Sequence, residues 1–466
     1  MIRTPTAAPV AVDGASAVLR SPCKPLDLLA LHRAAPERYP FLLESSAGAI
    51  AQGRYDLLLA LPGESLCLEA GRLTGASARA DHDFLTALDD WTCRLPEAPD
   101  GPADLPFIGG WFIYLGYELA GQVEPALSLP PADDGLPTAL AVRCPAAVIR
   151  DRQTRRCELV AETPEQLRQL EQDCAALDAG LPAIEPRRPV VTGWREDPPA
   201  RYIDSVHAIR EYILAGDVFQ VNLCREWQAE LAEPCEPAII YSALRSANPA
   251  PFSGLMCWQG RSVISSSPER LMRLDGHGRV STRPIAGTRP RTGRDTVMTR
   301  ELLTHPKERA EHVMLIDLER NDLGRVCEYG SVRVDELMTV ESYAHVHHIV
   351  SNVSGRLRAG TGPGAALRAG FPGGTITGCP KVRCMQIIAE LEGSGRGAYT
   401  GSMGYVSRDG RMDSNILIRS LVQNGRGLSL RAGAGIVADS DPQAELDETR
   451  AKARGVLLAL DGTGAA

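Results

Sequence analysis

The chain has 466 residues, of which 44% are hydrophobic and 23% are charged, and this is the composition of a soluble globular protein. The sequence contains no run of about 18 apolar residues, so no membrane span is predicted. The formal net charge of −8, without a clustered basic stripe, argues against a nucleic-acid partner or an anionic membrane surface. We therefore expect one large core, or two subdomains that share a core, with a site for a small molecule.

The cysteine and lysine contents narrow the class further. The twelve cysteines form no CxxC pair and no zinc-type spacing, and the first residues carry no signal-peptide pattern, so reduced thiols in a cytoplasmic protein are expected. Of the 50 basic residues nearly all are arginine. A remaining lysine is a candidate for a specific role, because an ammonium group differs from a guanidinium only at particular sites. The lysines are Lys24, Lys307, Lys381 and Lys452.

Proline-rich stretches divide the chain. Short apolar runs with turn glycines predict strands and turns at 55–61 and 107–119. Prolines predict loops at 129–137 and 181–200, since proline lacks the backbone donor that helices and sheets need. The second loop separates an N-terminal subdomain, 1–190, from a motif-dense region, 191–466.

The second region alternates helices with strands. A helix is predicted from Tyr202, ended by Gly216, and a strand follows at 218–227. Proline in the first turn predicts three further helices, at 306–318, at 380–392 and from Asp441 to about residue 460. Further strands are predicted at 401–407 and 428–433. This order predicts an α/β layered fold.

Two of the predicted helices each carry a pair of glutamates three residues apart. They are Glu308 with Glu311, and Glu445 with Glu448. Positions three apart share a helix face, so each pair presents two carboxylates to one side. Four converging carboxylates would need a cation, and a hard dication with oxygen ligands suits them, whereas two solvated helix faces are the alternative.

Glycine-rich turns are predicted to supply the other half of a site. Gly373 and Gly374 lead to Thr375, and the GAG run includes Gly433 and Gly435. Glycine lets a ligand approach the backbone closely, and free N–H groups can hold a carboxylate. Each glycine could equally serve a tight turn.

Seven sequence blocks, in order, resemble the catalytic half of the chorismate-utilising enzymes, which include anthranilate, aminodeoxychorismate, isochorismate and salicylate synthases. The N-terminal half is similar more loosely, through FLLES at 41–45, GRYD at 53–56 and GYEL at 116–119. The resemblance implies one large α/β (α+β) unit, with two β-sheets packed in the interior and helices outside. The seven blocks are SPERL at 267–271, RPIAGTRPR at 283–291, KERAEH at 307–312, LIDLERNDLGRVC at 315–327, HVHHIVS at 345–351, TGCPKVRCMQII at 377–388 and IVADSDPQAELDET at 436–449.

The resemblance also assigns roles to individual residues. Glu311 and Glu448 would bind Mg²⁺ directly, and Glu308 and Glu445 would reach it partly through water. Glu269 in SPERL matches the general acid for the C4 hydroxyl of chorismate, and its pKa should be raised beside other carboxylates. His348 would lie near the reacting ring, and His347 is expected to be structural. The remaining substrate contacts would be Thr375, Tyr399, Arg419, Lys452 and the GAG amides of Gly433 and Gly435.

Gln220 and Ala286 bear on which reaction is catalysed. Water-using members carry a lysine base where this chain has Gln220, and glutamine cannot deprotonate water, so amination is favoured. The blocks around Glu341, Cys327 and Cys379 look like the aminodeoxychorismate synthases, which aminate C4 on the route to p-aminobenzoate. Ala286 stands where many of them have a nucleophilic lysine, and alanine is what anthranilate synthases have, so the latter are the alternative.

A function of another class also remains: a non-catalytic tryptophan-binding regulatory subunit. Two N-terminal motifs resemble the family's tryptophan pocket, although intact glutamates argue against lost catalysis. Nothing resembles a glutaminase, so ammonia would come from solution or from a glutamine amidotransferase subunit. The pocket residues would be Leu43, Glu44, Ser45, Asn248, Pro249 and Phe252.

Overall fold

Two antiparallel β-sheets form the interior of the molecule, in a computed structural model that describes residues 18–47, 53–94, 104–178, 188–290, 306–342 and 346–461. The first sheet contains twelve of the described strands: β1 (Leu19–Cys23), β2 (Phe41–Glu44), β3 (Tyr55–Ala60), β8 (Ala146–Asp151), β9 (Arg156–Ala161), β10 (Val191–Glu196), β11 (Gln220–Leu231), β12 (Phe252–Trp258), β13 (Arg261–Ser267), β19 (Gly378–Cys379), β22 (Ser420–Asn424) and β23 (Gly427–Ile436).

The second sheet contains eleven described strands: β4 (Ser65–Glu69), β5 (Arg72–Gly75), β6 (Gly110–Leu115), β7 (Ala139–Cys144), β14 (Arg270–Asp275), β15 (Arg279–Thr282), β16 (Ile285–Pro290), β17 (Arg333–Ser342), β18 (Val346–Arg356), β20 (Ser402–Ser407) and β21 (Arg411–Asn415). The spatial order of the first sheet is β1-β9-β8-β3-β2-β12-β13-β22-β23-β11-β10, with β19 paired to β11. That of the second is β16-β18-β15-β14-β21-β20-β6-β7-β4-β5, with β17 paired to β18. Both sheets therefore contain strands from before and after residue 190.

The sheets pack face to face, and helices cover their outer faces. Side chains alternate between the faces of a strand, and β6 shows the result. Its Phe112 and Tyr114 lie between the sheets, whereas Trp111 and Ile113 face the helices. Phe112 stacks on Phe41 of the first sheet, with ring centroids 3.9 Å apart. The expected architecture, two interior sheets with helices outside, is confirmed.

Ten helices are described: α1 (Leu28–Ala34), α2 (Phe84–Arg94), α3 (Ala120–Val123), α4 (Pro164–Asp178), α5 (Pro199–Leu214), α6 (Pro237–Ala247), α7 (Pro306–Gly324), α8 (Pro363–Gly370), α9 (Lys381–Glu392) and α10 (Pro442–Asp461). Short 3-10 helices occur at Tyr117–Leu119 and Gly374–Ile376. Helices α1, α4, α6 and α10 cover the first sheet, and α2, α7 and α8 cover the second.

Most predicted elements of the second region are confirmed within a few residues. Helix α5 ends at Leu214, and Gly216 follows with φ of 84°, which a side chain would strain. The predicted loop at 181–200 was wrong in part, because Val191–Glu196 forms β10, paired to β11. This strand lies at the edge of the first sheet. The prolines of the stretch lie on either side of it, so none removes a backbone donor from the strand itself. Residues 181–187 lie outside the described residues.

Candidate active site

Glu269 lies in the short link between β13 and β14, at the interface of the two sheets. Its side chain is buried, and Thr375 donates its hydroxyl hydrogen to Glu269 Oε1 over 2.8 Å. Burial raises the pKa of Glu269 to about 7. The hydrogen bond from Thr375, the Ile285 backbone and Arg419 favour the ionised form, and a nearby carboxyl, that of Glu319, opposes it. Glu269 can therefore carry a proton near neutral pH.

Arg419 and the GAG run meet at one end of the first sheet. Arg419 immediately precedes β22 and has φ of 52°, a conformation rare for a residue with a side chain. The prediction of a turn at Gly433–Gly435 was wrong, since both glycines lie in β23, opposite Cys224 and Asn222 of β11. The last residue pair between β22 and β23 is Leu421 with Leu430. The GAG run of β23 therefore lies beyond the first residues of β22.

Lys452 reaches the same strand from helix α10. Its ammonium donates to the carbonyl oxygen of Gly433 over 2.9 Å and pairs with Glu448 Oε1 at 2.7 Å. The pair spans one helical turn, so both side chains lie on the predicted common face. Tyr399 is also close, because a Cβ added at Gly433 would lie 2.8 Å from its hydroxyl. Lys452, Tyr399 and the GAG run therefore surround one segment of β23.

His348 connects this segment to the second sheet. The imidazole is buried in β18, and its Nδ1 lies 3.3 Å from the carbonyl oxygen of Gly287. Burial lowers the pKa of His348 to about 3, and the charges of Arg419 and Lys452 add to the effect. His348 is thus a neutral imidazole at pH 7. The neighbouring His347 hydrogen-bonds Ser342 through Nδ1 at 2.7 Å.

Ala286 and Gln220 border the same region. Ala286 lies in β16 opposite Ile349, and a register shift follows at Gly287, whose φ of 70° favours glycine. Gln220 starts β11, and its amide lies against the backbone of Gly435. The structure therefore brings the predicted catalytic and substrate residues from both sheets and from α10 to one site.

The four predicted metal ligands are described in part. Glu311 is half-buried on α7, Glu445 is half-buried on α10, and Glu448 is exposed one turn later, while the side chain of Glu308 lies outside the described residues. Ser440 donates to Glu445 over 2.6 Å. Within the described ranges, no group of three or more His, Cys, Asp or Glu side chains is placed to hold a metal ion. The chemistry of the donor set suits Mg²⁺, because carboxylate oxygens are the ligands that this ion prefers.

A cluster of three charged residues, one of which acts on Glu269, was not among the predicted site residues. Glu319 and Asp322 are buried on α7, and Lys381 Nζ bonds Asp322 Oδ2 at 2.6 Å. The scarcity of lysine singled out Lys381, but not its partner. Burial raises the pKa of Glu319 to about 7, and the charge of Asp322 adds to this.

A second network missed by the motifs holds the predicted substrate-binding segments together. Arg396 is buried, pairs with Glu392 at 2.7 Å, and donates to the carbonyl oxygens of Ile376 and Asn222. Its guanidinium also lies 5.5 Å from the ring of Tyr399. This one side chain thereby ties β11, the 3-10 helix after Gly373 and the Tyr399 turn together.

The two motifs of the predicted tryptophan pocket also meet. Glu44 of β2 pairs with Ser253 of β12, one residue beyond Phe252, and Leu43 pairs with Gly254. Asn248 donates to Ser266 over 2.7 Å, and Pro249 follows it in the loop before β12. The Ser45 backbone donates to Asp56, and the buried Glu44 carboxylate is surrounded by Arg150, Arg152, Arg245 and the Tyr241 hydroxyl.

No helix in the described ranges is long and apolar enough to cross a membrane. The sequence and the fold match known proteins. Anthranilate synthase component 1 of Streptomyces coelicolor is 42% identical over 403 residues, which are 81% of this chain and 77% of that protein. Aminodeoxychorismate synthase component 1 of Klebsiella aerogenes is 37% identical over 443 residues, 91% of this chain and 94% of that protein.

A solved structure agrees with both. The crystal structure of anthranilate synthase component I from Streptococcus pneumoniae superposes with a TM-score of 0.78 at 32% identity, covering 88% of this chain and 93% of that one. The identities do not separate the two kinds of synthase, and those named anthranilate synthase include the higher value. Since residues 55–458 match the chorismate binding enzyme family, this chain belongs to that family and acts on chorismate.

Proposed function

We propose that the protein aminates chorismate at C4, forming 4-amino-4-deoxychorismate for p-aminobenzoate and folate synthesis. Ammonia would be supplied by a separate glutamine amidotransferase subunit. The observation that carries the proposal is the buried Glu269, held by Thr375 and with its pKa raised to about 7, beside Arg419. This is a proton donor placed against a cationic site for an anionic substrate.

Glu269 would act on the leaving group. The C4 hydroxyl leaves poorly as hydroxide, so the Glu269 proton passes to its oxygen as the C–O bond breaks and water departs. Ammonia supplies the electron pair of the new C–N bond and then loses a proton. The proton lost by the new amine returns to the Glu269 carboxylate, so the step converts chorismate and ammonia to the amino product and water and regenerates the acid.

The cationic groups would hold the substrate carboxylates. Arg419, Lys452 and the backbone of the GAG run line one segment, and the Tyr399 hydroxyl adds a donor beside Gly433. Guanidinium, ammonium and backbone N–H groups are the donors that carboxylates prefer. Thr375, which is fixed by its bond to Glu269, would set the distance between the substrate and the acid.

Mg²⁺ would be held by Glu311 and Glu448 directly and by Glu308 and Glu445 partly through water. The bound ion would neutralise a substrate carboxylate. Lys452 pairs with Glu448. A dication bound by Glu448 would therefore leave the Lys452 ammonium group available to a substrate carboxylate.

Two observations support amination over hydration. Gln220 occupies the place of a lysine base, and an amide does not take a proton from water. The pKa of His348 is lowered to about 3, so this imidazole is also a poor base. Ammonia needs no such base to be nucleophilic, whereas water does.

The choice of C4 rests on the blocks around Glu341, Cys327 and Cys379. Ala286 supports the second candidate, anthranilate synthesis by amination at C2 with loss of pyruvate, and so does the 42% identity to a protein of that name. Since alanine has no amine, C4 chemistry here would proceed without a lysyl adduct at this position. A covalent chorismate adduct should accordingly be absent from the peptide 283–291.

The alternative that is not catalytic is a regulatory, tryptophan-binding role for the region around Glu44. The Ser45 hydroxyl is buried and has no hydrogen-bond partner among the described residues, which favours a ligand there. Titration with tryptophan tests this role, and binding without any turnover of chorismate would support it over catalysis.

The proposal is tested by incubating the protein with chorismate, Mg²⁺ and an ammonium salt. Products are identified by mass spectrometry, with and without an aminodeoxychorismate lyase. We expect p-aminobenzoate only when the lyase is present. Anthranilate and pyruvate would instead establish the second candidate.

A further inference from the structure

Glu319 has no role in the chemistry described so far, yet it lies beside the general acid. Thr375 bonds Glu269 on one side of the Gly374–Thr375 backbone. On the other side, a Cβ added at Gly374 would lie 3.4 Å from Glu319 Oε1. Helix α7 packs on this 3-10 helix, so the position of Glu319 is fixed by the fold. Two buried carboxyls therefore flank one turn of backbone.

We propose that Glu319 is a positioning residue for Glu269: its carboxyl, placed across the Gly374–Thr375 turn, keeps the acid protonated until the C4 oxygen takes its proton. The inference rests on the proposed role of Glu269. Two carboxyls that share a dry site cannot both ionise easily, so each one disfavours the ionisation of the other. The pKa of Glu269 is raised in part by Glu319.

Lys381, the cation that acts on Glu319, is already paired with another carboxylate. Lys381 bonds Asp322, one turn after Glu319 on the same helix face. Within the described ranges Glu319 forms no ion pair, and it is hydrogen-bonded by the Thr282 side chain and the Gly374 backbone. Asp322 raises the pKa of Glu319 and Lys381 lowers it, so the two opposing charges partly cancel at Glu319.

The other titratable groups on the elements packed around the two carboxyls leave the coupling between Glu269 and Glu319 in place. Arg419 faces Glu269 and favours its ionised form. His348 on β18 and His312 on α7 are buried, with pKa values lowered to about 3 and about 4, so both stay neutral. Arg283, beside β16, pairs with Glu336 and Glu341 of β17.

The experiment compares Glu319→Gln with the wild type and with Glu319→Asp. Gln keeps the shape and the acceptor oxygen of Glu319 but removes its charge. The rate of chorismate loss, which does not depend on the product, is followed from pH 5 to pH 9. For Glu319→Gln, the pH at which kcat falls on the alkaline side should decrease by about 1 unit, with KM little changed and the rate recovered at acid pH.

Glu319→Asp, which keeps a carboxyl, should recover part of the wild-type profile. Asp89→Asn is the matched control, because Asp89 is a half-buried carboxyl on α2 with a raised pKa, and it accepts two backbone N–H groups from the first turn of α8. It should alter stability without moving the profile. An alkaline limb of Glu319→Gln that coincides with the wild type would overturn the inference.

A second measurement does not need activity. Infrared titration detects the C=O band of a protonated buried carboxyl, and coupling between two such groups is mutual. Glu269→Gln should therefore lower the pKa of Glu319, as Glu319→Gln lowers that of Glu269. Independent titrations would contradict the inference even if one variant were too unstable to assay. A wild type that consumes no chorismate would instead contradict the proposed function and leave this test intact.

Discussion

The Thr375 hydroxyl donates a 2.8 Å hydrogen bond to Glu269 Oε1, joining residues 106 positions apart. This bond favours ionised Glu269, against the burial that disfavours it. Thr375→Val should therefore raise the pKa of Glu269 further and move the alkaline fall of kcat to higher pH, the direction opposite to Glu319→Gln. The pH profile of chorismate loss measures this. A shift to lower pH would mean that Thr375 acts on the substrate instead.

Glu269→Gln should lower kcat by roughly 10²- to 10⁴-fold with little change in chorismate binding, the usual effect of removing a general acid. Steady-state kinetics and a binding titration separate the two quantities. A variant with an unchanged kcat and a raised KM would show that Glu269 only binds the substrate.

The same substitution should change stability in a pH-dependent way. The folded-state pKa of Glu269 is about 7, above its ordinary value of 4.5, so the wild type is most favoured below pH 4.5 and loses stability as pH rises through 7. Glu269→Gln lacks this loss and should gain up to about 3 kcal/mol relative to the wild type at pH 8. Thermal melting at pH 4.5 and pH 8 checks this, and an equal difference at both values would contradict it.

Glu448→Gln should abolish Mg²⁺-dependent turnover while leaving the fold intact, because an amide is a poorer ligand for a hard dication. Glu311→Gln should do the same. Asp447→Asn is the matched control, since Asp447 is an exposed neighbour on α10 that pairs with Arg450. Circular dichroism and Mg²⁺ titration of the rate provide the measurement, and near-normal activity in EDTA would refute the metal assignment.

The sequence predicted those parts of the molecule that local rules determine. Proline in the first turn gave the start of α7 at Pro306, and Gly216 marked the end of α5. The SPERL motif singled out Glu269, and the family resemblance added Arg419 and Lys452; the structure places the three near one another.

The sequence could not predict what depends on long-range packing. The GAG run was expected to be a turn because glycine favours turns, but pairing with β11 makes it a strand. Strand β10 was missed because prolines lie on either side of it, and its pairing with β11 depends on the fold. The block at 315–327 was used only to compare subfamilies, because Glu319 comes close to the Gly374 turn only when α7 packs on it. The charge of Glu319 therefore acquires its meaning only in three dimensions.

The most direct test of the central claim is the position of nitrogen in the product. Chorismate, Mg²⁺ and ¹⁵N-ammonium are incubated with the protein, and the product is analysed by NMR. Amination at C4 would give a ¹⁵N–C4 bond in a product that keeps its enolpyruvyl group, and no such product from Glu269→Gln on the same time scale. A ¹⁵N–C2 bond accompanied by free pyruvate would contradict the account and make Ala286 the better guide to the reaction.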